Sequence, residues 1–268
     1  MDSTQPAAAR RSLPGGFLGG AAIGMLGGLI GLGGAEFRLP LLIGPFRLIA
    51  LEAVILNKAM SLIVVASALL FRTRAVPVDD VLSHWPTVIN LLAGSLVGAW
   101  VGAGWATRLR SATFYKVIAV LLVVIAVVLL LERQIAGGAA LFIGPTQLIA
   151  GVVAGFGIGI FAAILGVAGG ELLIPTLVLL FGADIKLAGS LSLVVSLPTM
   201  LVGFTRYSRD QSFSVLRRNR LFVLVMAVGS IVGSSIGGLL LGVVPSAILL
   251  PILAAILVIS AVKLWRHK

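Results

Sequence analysis

The sequence predicts an all-α membrane protein with about eight hydrophobic segments arranged in two internal repeats. Of its 268 residues, 59% are hydrophobic and only 11% are charged, and the mean hydropathy is +1.17. Soluble domains are about half apolar and about a quarter charged. The composition therefore excludes a soluble globular protein. Apolar runs of about 20 residues, the length that crosses a bilayer as a helix, recur along the chain.

The segments are the apolar runs bounded by charged residues, Gly or Pro. In chain order they cover residues 13–34, 37–48 continuing into 50–71, 85–106, 113–131, 141–168, 172–183 continuing into 187–205, 219–241 and 245–264. The stretches 37–48 and 172–183 are too short to cross a bilayer alone. Residues 1–11 are polar and precede an apolar run, as in a signal peptide, but no small-residue cleavage site follows. We therefore expect an uncleaved first span.

An ungapped internal repeat relates the two halves. Adding 135 to the residue number pairs Glu36 with Glu171 and Pro40 with Pro175, along with many glycines. Matched acids and prolines in one register rarely arise by chance. We predict two membrane repeats, residues 1–135 with a short cytoplasmic N-terminal tail and residues 136–268. Secondary transporters commonly have such repeats, with the substrate site at the interface between them.

Glycines also recur at every fourth position, which places them on one face of a helix. The sets are Gly16, Gly20, Gly24 and Gly28, then Gly94, Gly98 and Gly102, then Gly229, Gly233 and Gly237. Such faces allow helix backbones to approach closely, so we interpret most of these glycines as packing positions.

Each half contains one segment in which helix is expected to fail, residues 31–40 and 166–175. Glycines there precede an acid and a proline, and Gly and Pro cost a helix about 1 and about 3 kcal/mol per residue. Unwound backbone at membrane depth must line a cavity or be buried in protein. The free N–H groups at the start of the following short helix would form an anion site. Gly33, Gly34, Gly169 and Gly170 are therefore candidate substrate-binding residues.

The two glycine-rich motifs that end in Pro40 and Pro175, together with the four-plus-four segment pattern and the chain length, resemble the sulfite exporter TauE/SafE family, also called the toluene sulfonate uptake permease family. The resemblance covers about residues 15–265. It implies a prokaryotic-type inner-membrane carrier of sulfur-containing or related organic anions, such as sulfite, sulfoacetate or other sulfonates. Glu36 and Arg38 stand where the family more usually has apolar residues.

Two cations lie at predicted membrane depth, where a charge costs roughly 2.5–3.5 kcal/mol on insertion scales. These are Arg38 and Lys58, whose repeat partners are Leu173 and Leu193. A cation in only one half is expected if a single anion binds off-centre. We expect Arg38 and Lys58 to bind the anion, helped by Asn57, Ser192 and Ser196. The alternative is that the two cations form structural ion pairs with Glu36 and Glu52.

The symmetric acids Glu36 and Glu171 have two interpretations. They could exchange a proton for the anion, or they could be helix caps whose charge neutralises the positive end of the short helix. Their repetition favours the cap.

The net charge of +11 is explained by basic residues in cytoplasmic loops. Two topologies remain open. Four spans in each half would make the repeats parallel, whereas a re-entrant hairpin over residues 13–48 would leave three spans and make the repeats inverted. Both place the basic stretch between Arg206 and Arg220 and both termini in the cytoplasm, in a multi-pass inner-membrane protein.

Signatures of catalysis are missing, so we expect a protein that is not an enzyme, with no catalytic residue, metal or cofactor. Cysteine is absent, and the two histidines, His84 and His267, lie in a loop and at the C-terminus. The expected partners are a small anionic substrate and the lipid bilayer, with no nucleic acid; a homodimer is left open. The sequence thus predicts a secondary transporter that exports small anions by alternating access. The alternative functions are an anion channel and a non-transporting membrane scaffold.

Overall fold

The structure, a computed structural model, describes residues 12–30, 34–72, 78–131, 140–208, 212–240 and 246–266. These ranges contain eleven helices and no strand: α1 (Leu13–Ile30), α2 (Ala35–Ile43), α3 (Ala50–Arg72), α4 (Val78–Ser83), α5 (Trp85–Ala106), α6 (Ser111–Leu131), α7 (Pro145–Leu165), α8 (Gly170–Phe181), α9 (Ile185–Ser208), α10 (Ser212–Leu239) and α11 (Ser246–Trp265). By length and composition, α3, α5, α6, α7, α9 and α10 could each cross a membrane. The predicted fold class, a polytopic helical membrane protein, is confirmed.

The breaks in the helices are shorter than the sequence predicts. Helix resumes at Ala35 and at Gly170, so both acids and both prolines lie inside short helices and not in unwound chain. Each proline is the sixth residue of its helix, beyond the first turn in which proline causes no loss. It removes only the hydrogen bond to the carbonyl group four residues earlier, which belongs to Glu36 in α2 and to Glu171 in α8.

The helices α1 and α2 form a hairpin that folds back on itself. A Cβ atom added to Gly34, just before α2, would lie 2.5 Å from the carbonyl oxygen of Ile23. Near the other end of α2, Leu41 lies against Gly19, where an added Cβ would approach to 2.8 Å. Later residues of α2 therefore lie beside earlier residues of α1, and the two helices run antiparallel.

The helices α7 and α8 form a second hairpin in the same way. Near the end of α8, the carbonyl oxygen of Leu180 accepts a hydrogen bond of 2.6 Å from the Nε2 atom of Gln147, near the start of α7. The turn at the tip requires glycine, because Gly166 and Gly169 have φ angles of 67° and 82°, which other residues rarely adopt. Hereafter, hairpin 1 is α1–α2 and hairpin 2 is α7–α8.

Helices related by the offset of 135 residues run in opposite directions. Lys116, near the start of α6, has its Nζ atom 5.7 Å from the ring centroid of Trp265, the last residue of α11. Lys58, in the first half of α3, lies 5.9 Å from the ring of Tyr207, near the end of α9. Of the two topologies left open by the sequence, these contacts match the re-entrant hairpin with inverted halves.

The regularly spaced glycines lie at two close helix contacts, each between helices from different halves. The helix α1 runs along α10, and α5 runs along α7. A Cβ atom on Gly20 would collide with the carbonyl oxygen of Met226, and one on Gly94 with that of Val152. These backbones approach each other only because glycine has no side chain.

Candidate functional site

Several polar side chains on α2, α3, α8 and α9 are buried, and eight of them were marked by the sequence or lie beside those that were. Each is at most 3% exposed: Glu36, Arg38, Asn57, Lys58, Ser61, Glu171, Ser192 and Ser196. Buried polar groups at membrane depth are costly, so they are retained where they are paired or functional. The hydrogen-bond partners of each group therefore decide what it can do.

Arg38 is held along one edge of its guanidinium group. Its Nη1 atom donates to Asn57 Oδ1 at 3.4 Å and to Ser61 Oγ at 3.3 Å. Its Nε and Nη2 atoms are buried and find no acceptor among the described residues. The predicted alternative of an ion pair with Glu36 is wrong, since the two charges interact only at longer range. Residues two apart on a helix do not face each other.

The free edge of Arg38 is suited to an oxyanion. A guanidinium group presents its N–H donors in a planar fork, which can donate two parallel hydrogen bonds to two oxygen atoms. Leaving a buried donor without an acceptor costs about 1–3 kcal/mol, and more for a charged group. A bound anion would recover this free energy, because it supplies both the acceptors and the missing counter-charge.

Asn57 connects the two hairpins. Its Nδ2 atom donates to the carbonyl oxygen of Ala35 at 3.0 Å and to that of Leu165 at 3.3 Å. Ala35 is the first residue of α2 and Leu165 the last residue of α7. The side chain that orients Arg38 therefore also fixes the relative position of the two hairpin tips.

Lys58 lies at the C-terminal end of α7. Its Nζ atom donates to the carbonyl oxygen of Ala162 at 3.4 Å, where the helix dipole favours a cation. A Cβ atom on Gly203 would lie 2.7 Å from this Nζ atom, so glycine makes room for the ammonium group. The predicted alternative of an ion pair with Glu52 is wrong, because Glu52 accepts a hydrogen bond of 2.5 Å from Arg218 instead.

Tyr207 is a buried residue near this position that the sequence analysis missed. Its hydroxyl group donates to the carbonyl oxygen of Ala163 at 3.0 Å, one residue after the acceptor of Lys58. The available signal was that Tyr207 is one of only two tyrosines in the chain. Tyr207 is buried because the end of α9 packs against α7, a contact that residue type alone does not predict.

The carboxyl groups of Glu36 and Glu171 are buried and interact with each other across the two hairpins. None of their four oxygen atoms has a hydrogen-bond partner among the described residues. Each acid lies in the first turn of its helix, and the N-cap position before the helix is a left-handed glycine, Gly34 or Gly169, which has no side chain to form a cap. Two interacting carboxyl groups in a buried site repel each other when both are charged, so one proton on the pair stabilises it.

The remaining candidates are placed around these groups. Gly34 and Gly169 precede the short helices in left-handed conformation, and Gly170 is the first residue of α8. Ser192 donates to the carbonyl oxygen of Gly189 in its own helix at 2.9 Å. The Oγ atom of Ser196 is buried without a partner among the described residues. Neither serine makes a hydrogen bond to Arg38, and Gly33 lies outside the described residues.

Comparison with known proteins identifies the family. The family model described as "Sulfite exporter TauE/SafE" matches residues 16–266. No significant match was found among curated proteins or among solved structures. The match covers nearly the whole chain, including both hairpins and every residue of the site. The chain therefore belongs to the sulfite exporter TauE/SafE family and is a multi-pass membrane transporter.

Proposed function

We propose that this transporter is a secondary carrier that exports small sulfur-containing or organic anions, such as sulfite, sulfoacetate or other sulfonates, by alternating access. The observation that carries the proposal is the buried guanidinium group of Arg38, held along its Nη1 edge and free along its Nε and Nη2 edge. The proposal includes a position in the inner membrane with both termini in the cytoplasm, as the distribution of basic residues favours.

Sulfite and sulfonate groups fit the free edge chemically. Several oxygen atoms on one sulfur atom offer two acceptors to one planar fork of donors. The first N–H groups of α2 and α8 have no acceptor within their own helices, and the helix dipole adds positive potential at these ends. Lys58 adds a second positive charge on α3, one residue after Asn57, so the site favours an anion over a neutral ligand.

Alternating access is supported by the arrangement of the two hairpins. They enter from opposite faces, and Asn57 donates one hydrogen bond to each of them. A movement that separates the tips must break at least one of these bonds. A carrier can therefore alternate between the two faces while the anion stays on Arg38, which belongs to hairpin 1 alone.

The Glu36–Glu171 pair supplies a candidate coupling ion. We propose that the pair takes up or releases one proton as the anion is exchanged. This proton would link the two hairpins during transport. The alternative role is the helix cap, since each acid lies in the first turn of its short helix, where the helix dipole favours a carboxylate.

The test is transport of labelled sulfite and of a labelled sulfonate in proteoliposomes. Arg38→Ala should reduce transport at least about tenfold, because a lost pair of charge-assisted hydrogen bonds exceeds the 1.4 kcal/mol that separates tenfold steps. Arg38→Lys should retain part of the transport, since lysine keeps the positive charge but lacks the planar fork of donors. The matched control is Arg108→Ala, which removes a basic side chain exposed in the α5–α6 loop. Correct folding is checked by size-exclusion chromatography, and normal transport by a folded Arg38→Ala variant would contradict the role of Arg38.

The same assay separates the carrier from its alternatives. A carrier gives flux that saturates with substrate and rises when substrate is present on the opposite side. A channel gives flux that is not stimulated by counter-substrate. Absence of flux for every sulfur oxyanion and organic anion tested would favour a non-transporting scaffold.

A further inference from the structure

A cavity of about 590 Å³ lies between hairpin 1 and α11. It is lined by residues along the whole length of α2, from Phe37 near the tip to Gly44 at the base, and continues to Arg47 in the following loop. On the opposite wall it is lined by the second half of α11, from Ile256 to Leu264. Small-molecule sites have this size, and no part of the proposed mechanism yet uses the cavity.

The open base of hairpin 1 and the end of α11 lie at the same membrane face. The helix α1 runs parallel to α10, since successive glycines Gly16, Gly20 and Gly24 oppose successive residues of α10. Only residues 240–245 separate α10 from α11, so α11 returns to the face where α1 and α10 begin. In the proposed orientation this face is cytoplasmic, and the cavity opens there.

Two cations, Arg47 and Lys263, lie at this mouth, and both are exposed. The offset of 135 residues gives Gly182 and Val128 as their counterparts at the opposite face. Neither counterpart carries a charge. Arg47 is the one described residue other than glycine with a positive φ, at 50°, and such a strained conformation persists where the surroundings require it.

The inner end of the cavity reaches the hairpin tip. Ile23 lines it, and the carbonyl oxygen of Ile23 is the group that contacts Gly34 at the start of α2. Phe37 closes this end and is 4% exposed. Phe37 is the chain neighbour of both Glu36 and Arg38, so the inner end of the cavity lies beside the segment of α2 that carries the buried polar residues.

We propose that this cavity is the cytoplasmic vestibule through which the anion reaches Arg38, with Arg47 and Lys263 attracting the anion and Phe37 closing the inner end. This proposal rests on the proposed function and adds its direction. A basic mouth with low-dielectric walls concentrates anions and raises their rate of entry. Anions are therefore drawn into this cavity from the cytoplasm, as export requires.

The first test removes both charges in the double variant Arg47→Gln/Lys263→Gln. Transport is measured in membrane vesicles of each orientation at low salt. For anion supplied from the cytoplasmic face, KM should rise about tenfold, kcat should stay unchanged, and the difference should shrink as salt is added. For anion supplied from the other face, KM should stay unchanged. Arg108→Gln is the control, since it removes a cation on the same face outside the cavity. Unchanged KM at the cytoplasmic face, or an equal rise at both faces, would overturn the proposal.

The second test uses the absence of cysteine from the chain, which makes any introduced thiol unique. Ser260 lines the cavity, so Ser260→Cys places the thiol there. Ile125→Cys places it at the position that the offset of 135 residues pairs with Ser260. A negatively charged, membrane-impermeant thiol reagent applied from the cytoplasmic face should modify Ser260→Cys, leave Ile125→Cys unmodified and block transport after washing. Ile256→Cys is the second reporter if Ser260→Cys does not fold. Modification without loss of transport, or no modification of either reporter, would overturn the vestibule while Arg38-dependent transport by the unlabelled protein still supports the carrier.

Discussion

The Nη1 atom of Arg38 in α2 lies 3.3 Å from the hydroxyl oxygen of Ser61 in α3. This contact orients the guanidinium group, since together with Asn57 it occupies one edge and leaves the other free. Ser61→Ala should therefore weaken binding of sulfite or a sulfonate about fivefold, because one hydrogen bond contributes about 1 kcal/mol. Binding is measured as the ligand-induced rise in thermal stability in detergent.

Ser67→Ala is the matched control for this prediction. Ser67 lies on the same helix, but its hydroxyl group donates to the carbonyl oxygen of Ile63 at 2.8 Å within that helix. Its removal should leave anion affinity unchanged. Equal losses of affinity in both variants would show that Ser61 has no specific role.

The acid pair gives a second prediction. Glu171→Gln should leave the thermal unfolding temperature unchanged or raise it. The amide N–H of the glutamine can donate to the Glu36 carboxyl group whether or not that group is protonated. Proton movement that accompanies anion transport, followed with a pH-sensitive dye inside vesicles, should be lost. Glu171→Leu, which can neither bind a proton nor donate a hydrogen bond, should abolish the same proton movement. A fall in stability for Glu171→Gln, with proton movement intact, would favour the helix-cap interpretation.

The close contact between α5 and α7 gives a third prediction. Gly94→Ala should destabilise the protein by about 1–3 kcal/mol or more, because the new methyl group would collide with the backbone of Val152 and force the helices apart. Gly157→Ala is the control within α7. No atom lies within 4 Å of a Cβ at that position, and alanine favours helix by up to about 1 kcal/mol. Thermal unfolding in detergent compares the two variants, and similar stabilities would contradict the contact.

The hairpin topology gives a fourth prediction about the membrane faces. With hairpin 1 re-entrant from the cytoplasm, Asp79 in α4 is outside and Arg108 after α5 is inside. In intact cells an impermeant thiol reagent should therefore modify Asp79→Cys and not Arg108→Cys, and in inside-out vesicles the pattern should reverse. The topology with four spans in each half predicts the opposite assignment, so one experiment decides between them.

The helical segments could be predicted from the sequence because apolar runs of sufficient length have few alternatives in a bilayer. Whether α1 crosses the membrane or turns back within it could not be predicted from the sequence, since both topologies satisfy the distribution of basic residues. The difference depends on which residues contact each other, such as Gly34 with Ile23. The sequence also gives no signal for α4, a six-residue helix outside any apolar run.

Depth in the membrane marked Arg38 and Lys58 as residues of interest, but their partners were predicted incorrectly. Glu52, the acid assigned to Lys58, lies at the start of α3, where Arg218 from the other half reaches it. Lys58 faces the end of α7 instead. Such partners come from residues far apart in the chain, 166 positions in the case of Arg218 and Glu52, so pairing by proximity in sequence fails.

The glycine contacts determine which parts of the molecule can move as rigid bodies. The helix α1 packs against α10, and α7 packs against α5, through backbone contacts without intervening side chains. Each hairpin is therefore packed against a helix from the other half of the chain. A conformational change that preserves these contacts must move α1 together with α10, and α7 together with α5. In the alternating-access cycle proposed above, the mobile units are therefore composites that contain helices from both halves, and neither half of the chain moves as a unit by itself.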